Sequence, residues 1–220
     1  MKRTLLIATL FAGLFISVNA QAANPISAFE GQRLFISHCQ LCHGPDAKGN
    51  GPLAQNLGIN PVDLTRTIRS RSETMLRRII SGQGGPTVTG RDRHNLLTDA
   101  MPDWGKVFSD DQIDALIAYL KYLGTAKHNL MGDPRQGYEL YQQYCAVCHG
   151  EDGYGDGVMT QIMDLEPMDH TNPVVMNSMS NEELITAILE GNGEYMPAWN
   201  GILERDEVEA LVSYIRLLTQ

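Results

Sequence analysis

The sequence predicts an all-α protein built from two tandem copies of one small helical unit. Three observations predict it. The phrase HCQLCHG, His38 to Gly44, returns as YCAVCHG, Tyr144 to Gly150. Its surroundings return with it: Gly31 to Thr65 aligns with Gly137 to Thr171 without a gap, each pair 106 positions apart. Apolar residues recur at helical spacing, and no segment sustains the alternation of a half-buried strand.

The elements follow in chain order. Residues 1–22 read as a secretory leader: Lys2 and Arg3, an apolar run from Leu5 to Val18, then small residues that offer cleavage after Ala20 or Ala22. The rival is a retained anchor, but the run is shorter than the ~20 residues a membrane-spanning helix needs. The expectation is therefore an exported, periplasmic chain with no membrane span once the leader is removed. The net charge of −9 would move to near −11 with the loss of Lys2 and Arg3. An acidic balance argues against nucleic-acid binding and favours redox partner proteins with a basic docking face.

The first repeat is expected over 25–124, a linker over 125–133 and the second repeat over 134–220. After the aligned block, Glu73–Gly82 (ETMLRRIISG) matches Glu182–Gly191 (EELITAILEG) at an offset of 109. Then Met101, Pro102, Trp104, Tyr119 and Leu123 match Met196, Pro197, Trp199, Tyr214 and Leu218 at an offset of 95. The falling offset places an inserted loop at 83–100, rich in glycine and polar residues. A unit of about 95 to 105 residues occurring twice is domain duplication rather than a solenoid, whose repeats run about 20 to 50 residues.

The last helix of the first repeat has Ser109 and Gln112 placed for a capping box. Ile113, Leu116, Ile117, Leu120 and Leu123 form its buried stripe, and Gly124 suits its C-terminal stop. In the second repeat the stripe is Val208, Leu211, Val212, Ile215 and Leu218, with a weaker cap. The first helix of that repeat has Asp133 as N-cap and Pro134 in the first turn, and runs into Cys145. Five Phe, eight Tyr and two Trp shared between two such units make small cores. Small cores need a staple, and a large apolar cofactor held covalently would supply one.

All four cysteines lie in the repeated phrase. Two cysteines three apart, followed at once by histidine, are the attachment signature of c-type haem. Each thiol adds to one vinyl group, and the next residue presents imidazole to the iron. The expectation is two covalently attached haem c groups. Cys39 and Cys42 hold the first, with His43 as axial ligand, and Cys145 and Cys148 hold the second, with His149. The rivals are zinc, which wants two paired clusters per site, and a redox dithiol, which wants a strand–helix context. Neither context is present.

A sixth ligand completes an electron-transfer iron, and thioether sulfur raises its potential. Of ten methionines only Met101 and Met196 occupy the same place in both halves, each in a Met-Pro-x-Trp stretch before the last helix. They are the expected axial partners, with Met176 and Met179 as substitutes for Met196. The remaining histidines take plainer readings. His38 is a helix position opposite Tyr144, His170 lies opposite Leu64, and His128 falls in the linker. His94 sits with Arg91 and Arg93 in the inserted loop, as surface or as a partner-docking element.

Each half resembles a class I cytochrome c domain over about 25–220. The order of motif, methionine–proline pair and C-terminal helix carries the resemblance. It implies a few helices packed round a covalently bound haem, with the N-terminal helix crossing the C-terminal one at a glycine and an aromatic. Gly31, Phe35 and Tyr119 fit those places, as do Gly137, Tyr141 and Tyr214. The segments GNGPLAQNLGINPVDLT and GDGVMTQIMDLEPMDHT look like the di-haem subunit of certain bacterial haem–copper oxidases, without that subunit's membrane helix; the layout is also similar to soluble periplasmic di-haem cytochromes. The implied function is that of an electron carrier, not an enzyme, with no catalytic residue. It would shuttle electrons between periplasmic partners through two His/Met-ligated haems, with association with a membrane oxidoreductase as a further option. The alternatives are a di-haem peroxidase or small-molecule dehydrogenase, and an electron-transfer subunit of a larger complex.

Overall fold

A computed structural model describes residues 28–83 and 101–219. The expected leader and residues 84–100 of the inserted loop, with His94, lie outside the described residues. Within them the chain is helical and contains no β-strand; two isolated bridges, Asn192 with Met196 and Asn200 with Leu203, are the only strand-like pairings.

The first half opens with α1 (Ala28–Leu34), which widens into a π-helical turn (Phe35–Cys39) and closes with α2 (Gln40–His43). Short α3 (Pro52–Leu57) and α4 (Leu64–Thr67) follow, then α5 (Glu73–Ile80) and the long α6 (Asp110–Thr125). The second half repeats the order: α7 (Pro134–Tyr144), α8 (Ala146–His149), α9 (Val158–Met163), α10 (Pro173–Met176), α11 (Asn181–Glu190) and α12 (Arg205–Leu218).

Capping chemistry starts these helices where the sequence places it. Ser109 Oγ accepts from Gln112 N at 3.3 Å, and Gln112 Oε1 accepts from Ser109 N at 3.0 Å. Asp133 accepts from Arg135 N at 2.9 Å. Ser180 and Glu183 make a second capping box at the head of α11. At α12 Glu204 and Glu207 take the same reciprocal places, with Glu207 Oε2 accepting from Glu204 N at 2.8 Å.

The apolar stripes are buried except for Leu123, which is partly buried: Ile113, Leu116, Ile117 and Leu120 on α6, and Val208, Leu211, Val212, Ile215 and Leu218 on α12. Each such side chain contributes about 1.5–3 kcal/mol on burial. In each half the first helix crosses the last at a glycine. A methyl group at Gly31 would overlap the Ala115 carbonyl oxygen and lie 2.8 Å from Tyr119 Cβ; at Gly137 it would overlap the Ala210 carbonyl and lie 2.9 Å from Tyr214 Cβ.

Gly124 corrects the sequence reading. α6 runs through it to Thr125, and the cap residue is Ala126. The glycine instead lets Ile68 approach, since a Cβ there would overlap Ile68 Cγ2. Its carbonyl accepts from Arg69 Nε.

The two halves meet through α1 and the pair α7–α12. Phe29 stacks on Tyr138 (5.2 Å between ring centres, 21° between planes) and meets Tyr214 edge-on at 5.1 Å and 86°. Inside the second half Arg216, 3% exposed, reaches from α12 to the turn after α10. It donates to the carbonyls of Met176 and Met179 and, at 2.9 Å, to Asn181 Oδ1. Those three acceptors satisfy the fork of a buried cation that has no carboxylate among its hydrogen-bond acceptors.

Candidate functional site

The two Cys-x-x-Cys-His phrases fold as the same turn. Cys39 and Cys145 both sit at a break in the helix, at φ −110°, ψ −33° and φ −111°, ψ −36°. The second cysteine and the histidine ride the short helix that follows, α2 or α8. The chain then loops back and donates to the motif's own carbonyls. Gly49 N and Gly155 N each donate to the histidine carbonyl at 2.8 Å, and Gly51 N and Gly157 N to the second cysteine's carbonyl at 3.1 Å. In these bonds the halves agree.

None of the four cysteines is in a disulfide, and all are half-buried. Burial, with the neighbouring Cys42 or Cys148 thiol adding to it, pushes Cys39 and Cys145 up to about 12. With no group attached they are neutral thiols at pH 7. Among the described residues no cluster of three or more Cys, His, Asp or Glu is arranged to hold a bare metal ion.

The histidines are likewise held neutral. Burial lowers the proton affinity of His43 and His149, opposed in part by the carbonyls of Val62 and Met168. Those carbonyls are equivalent positions of the repeat. His149 Nδ1 donates to Met168 O at 3.1 Å. His43 Nδ1 is buried with no partner in strict hydrogen-bond geometry, although the Val62 carbonyl beside it still raises its affinity for a proton. A ring whose Nδ1 proton faces a carbonyl keeps the Nε2 lone pair for a metal. Two thiols on one turn, with a neutral imidazole of that tautomer at the next position, fit haem c.

Met101 and Met196 are half-buried and packed against the core. The tryptophan three positions on ties each methionine turn to its cysteine turn. Trp199 packs on Tyr144 at 5.0 Å. Trp104 stacks on Phe108 at 5.1 Å, and both meet His38 edge-on, at 5.5 and 5.0 Å. His38 is therefore more than a helix position: with Tyr144 it is the near half of this aromatic latch. The pairing of 38 with 144 in the block at offset 106, and of 104 with 199 in the block at offset 95, was its sequence signal. Met176 is a fully buried core residue and Met179 is partly buried.

His170 is the largest departure between the halves. It is 7% exposed where the first half has Leu64. Its ring lies parallel to His149, 4.3 Å between centres and 15° between planes. Tyr141 Oη lies 3.0 Å from its Nδ1. Burial, reinforced by the neighbouring His149, lowers His170 to about 3, while burial holds the Tyr141 phenol far above its usual range. The phenol therefore donates and the neutral imidazole accepts.

Comparison with known proteins bears on both turns. The family model described as "Cytochrome C oxidase, cbb3-type, subunit III" matches twice, over 27–120 and 132–215. The chain is 26% identical over 190 residues to the cbb3-type cytochrome c oxidase subunit FixP of Azorhizobium caulinodans, covering 86% of this chain and 59% of that one. It is 28% identical over 202 residues to the CcoP subunit of an Azospirillum species, covering 86% and 61%. It is 27% identical over 221 residues to the cytochrome c subunit of a quinone-type alcohol dehydrogenase from Gluconobacter oxydans, covering 81% and 44%. The chain thus spans about three-fifths or less of the length of these relatives.

Proposed function

The chain belongs to the family of cytochrome c oxidase, cbb3-type, subunit III, and on that premise we propose that it is a di-haem electron carrier of the bacterial periplasm. In this reading Cys39 and Cys42 hold one haem and Cys145 and Cys148 the other, in domains spanning 25–124 and 134–220. His43 with Met101, and His149 with Met196, are the axial pairs. The family carries two c-type haem domains in tandem and transfers electrons. The finer assignment is supported chiefly by one observation: the cysteine–histidine turn occurs twice with the same backbone bonds and the same carbonyl facing the imidazole.

Bound haem supplies a one-electron iron couple whose potential follows ligand, hydrogen bonding and burial. The protein's own groups do the rest. The cysteines fix the position of the group on a short turn. The Val62 and Met168 carbonyls would hold the imidazole tautomer that keeps the Nε2 lone pair for the iron. The Trp104 and Trp199 latches keep the methionine turns against the cysteine turns. The apolar wall of α6 and α12 lowers the local dielectric.

The test is a potentiometric titration with spectra on protein made with haem-attachment machinery. Two one-electron couples are expected, with a sulfur-to-iron charge-transfer band in the oxidised form. Met101→His and Met196→His should each abolish part of that band and lower one couple, which also assigns the couples to their domains. A spectrum unchanged by either substitution would remove that methionine from the ligand set.

A second reading is that the chain works as the electron-entry subunit of an oxidoreductase. It is favoured by the relatives, which are named as subunits of an oxidase or a dehydrogenase. Co-purification with a catalytic subunit from native membranes, against recovery as a free monomer, decides between the two.

A further inference from the structure

We propose that His170 is a positioning residue for the second haem: stacked on His149 and tethered by Tyr141, it fixes the plane of that imidazole and lowers the second haem's reduction potential relative to the first. The proposal rests on the reading of His149 as an axial ligand.

The contrast between the halves carries the inference. Three positions differ together. The first half has Phe35, Ala47 and Leu64 where the second has Tyr141, Gly153 and His170. These residues converge in space. A Cβ at Gly153 would lie 3.3 Å from His170 Cβ and 3.6 Å from Tyr141 Oη. Ala47, fully buried at φ 58°, places its methyl at the equivalent point of the first half. The backbone is otherwise the same: Leu64 N donates to Ala47 O at 2.8 Å, and His170 N to Gly153 O at 2.7 Å. The fold therefore needs no histidine here, because leucine fills this corner in the first half. A buried imidazole is costly unless hydrogen-bonded, and the second half supplies the phenol that satisfies it.

The consequence for the iron follows from charge. The oxidised site carries one more positive charge than the reduced one. A polar, polarisable ring lying face-on to the ligand stabilises that charge better than the aliphatic chain of Leu64. The stacked ring also restrains rotation of His149, whose Nδ1–H reaches Met168 O in good geometry, whereas His43 has no partner in strict geometry. A better-held donor makes a more basic ligand. Both effects favour the oxidised form of the second haem.

The experiment uses the full chain with both haems, titrated potentiometrically, with electron paramagnetic resonance of the oxidised form. His170→Leu should shift the second couple upward by about tenfold in its reduction equilibrium, about 59 mV for one electron. It should also change the anisotropy of that haem's ferric signal and leave the first couple in place. Tyr141→Phe, which keeps the ring volume, should move the second couple the same way by less, and it decides the matter if His170→Leu does not fold. The reverse graft, Phe35→Tyr with Ala47→Gly and Leu64→His, should lower the first couple. Unchanged potentials and signal in His170→Leu, or equal shifts in both couples, would overturn the proposal. Failure of the ligand reading would look different: His149→Ala would leave the second haem's low-spin spectrum intact.

Discussion

Tyr119 shows how one buried group can set a pH limit. It is 4% exposed at the α1–α6 crossing, and burial pushes its phenol up to about 12, against a small opposing bond from Gln32. The folded state therefore keeps a proton that the unfolded chain releases near pH 10. That contribution to stability is fully present below pH 10 and is lost as the pH rises toward 12, to the extent of about 2–3 kcal/mol. Tyr119→Phe should flatten the loss of stability over that window, read from denaturation midpoints at pH 8, 10 and 11.5. At this scale the Cys-x-x-Cys-His turn was legible because the chemistry proposed for it dictates the spacing. The Val62 and Met168 carbonyls were not, because a backbone acceptor leaves no mark in residue identity. His170 was visible only as a mismatch with Leu64, and its meaning needed the 4.3 Å stack to be seen.

The helix crossing is the element on which each half depends. Gly31→Ala and Gly137→Ala drive a methyl into a carbonyl of the opposing helix, which cannot move without breaking its own bonds. Each should cost about 2–4 kcal/mol, seen as a lower denaturation midpoint. The apolar stripes and the Ser109 cap were legible in the sequence because each has a local signature, whereas the crossing came only from the resemblance to class I cytochrome c domains. Gly124 was not, since glycine marks both a helix stop and a close approach. The choice between them is made by Ile68, more than fifty positions away in the chain. The π-helical turn before Cys39 has no signature of its own in the repeat, since Tyr144 ends an ordinary α-helix at the corresponding point.

On the scale of the whole molecule, the halves are joined by contact as well as by the 126–133 connection. Phe29 of α1 is buried against Tyr138 and Tyr214. Phe29→Ala should uncouple the halves: calorimetry should resolve two unfolding transitions where the parent shows one, and small-angle scattering should report a larger radius of gyration. A single unshifted transition would mean that the connection alone holds them. The duplication was legible from offsets, but this contact was not, because no pattern within either repeat specifies what the other half presents. The linked differences at Phe35/Tyr141, Ala47/Gly153 and Leu64/His170 also bear on inheritance. Several single exchanges between the copies crowd the corner or leave a polar group unsatisfied. A Cβ at 153 would sit 2.8 Å from Leu218 Cδ1, and His placed at 64 would find phenylalanine, with no hydroxyl, at the position equivalent to Tyr141. Sequence exchange between the tandem copies is therefore expected to be tolerated at this corner only when it carries all three positions together, so that they behave as one linked unit of inheritance.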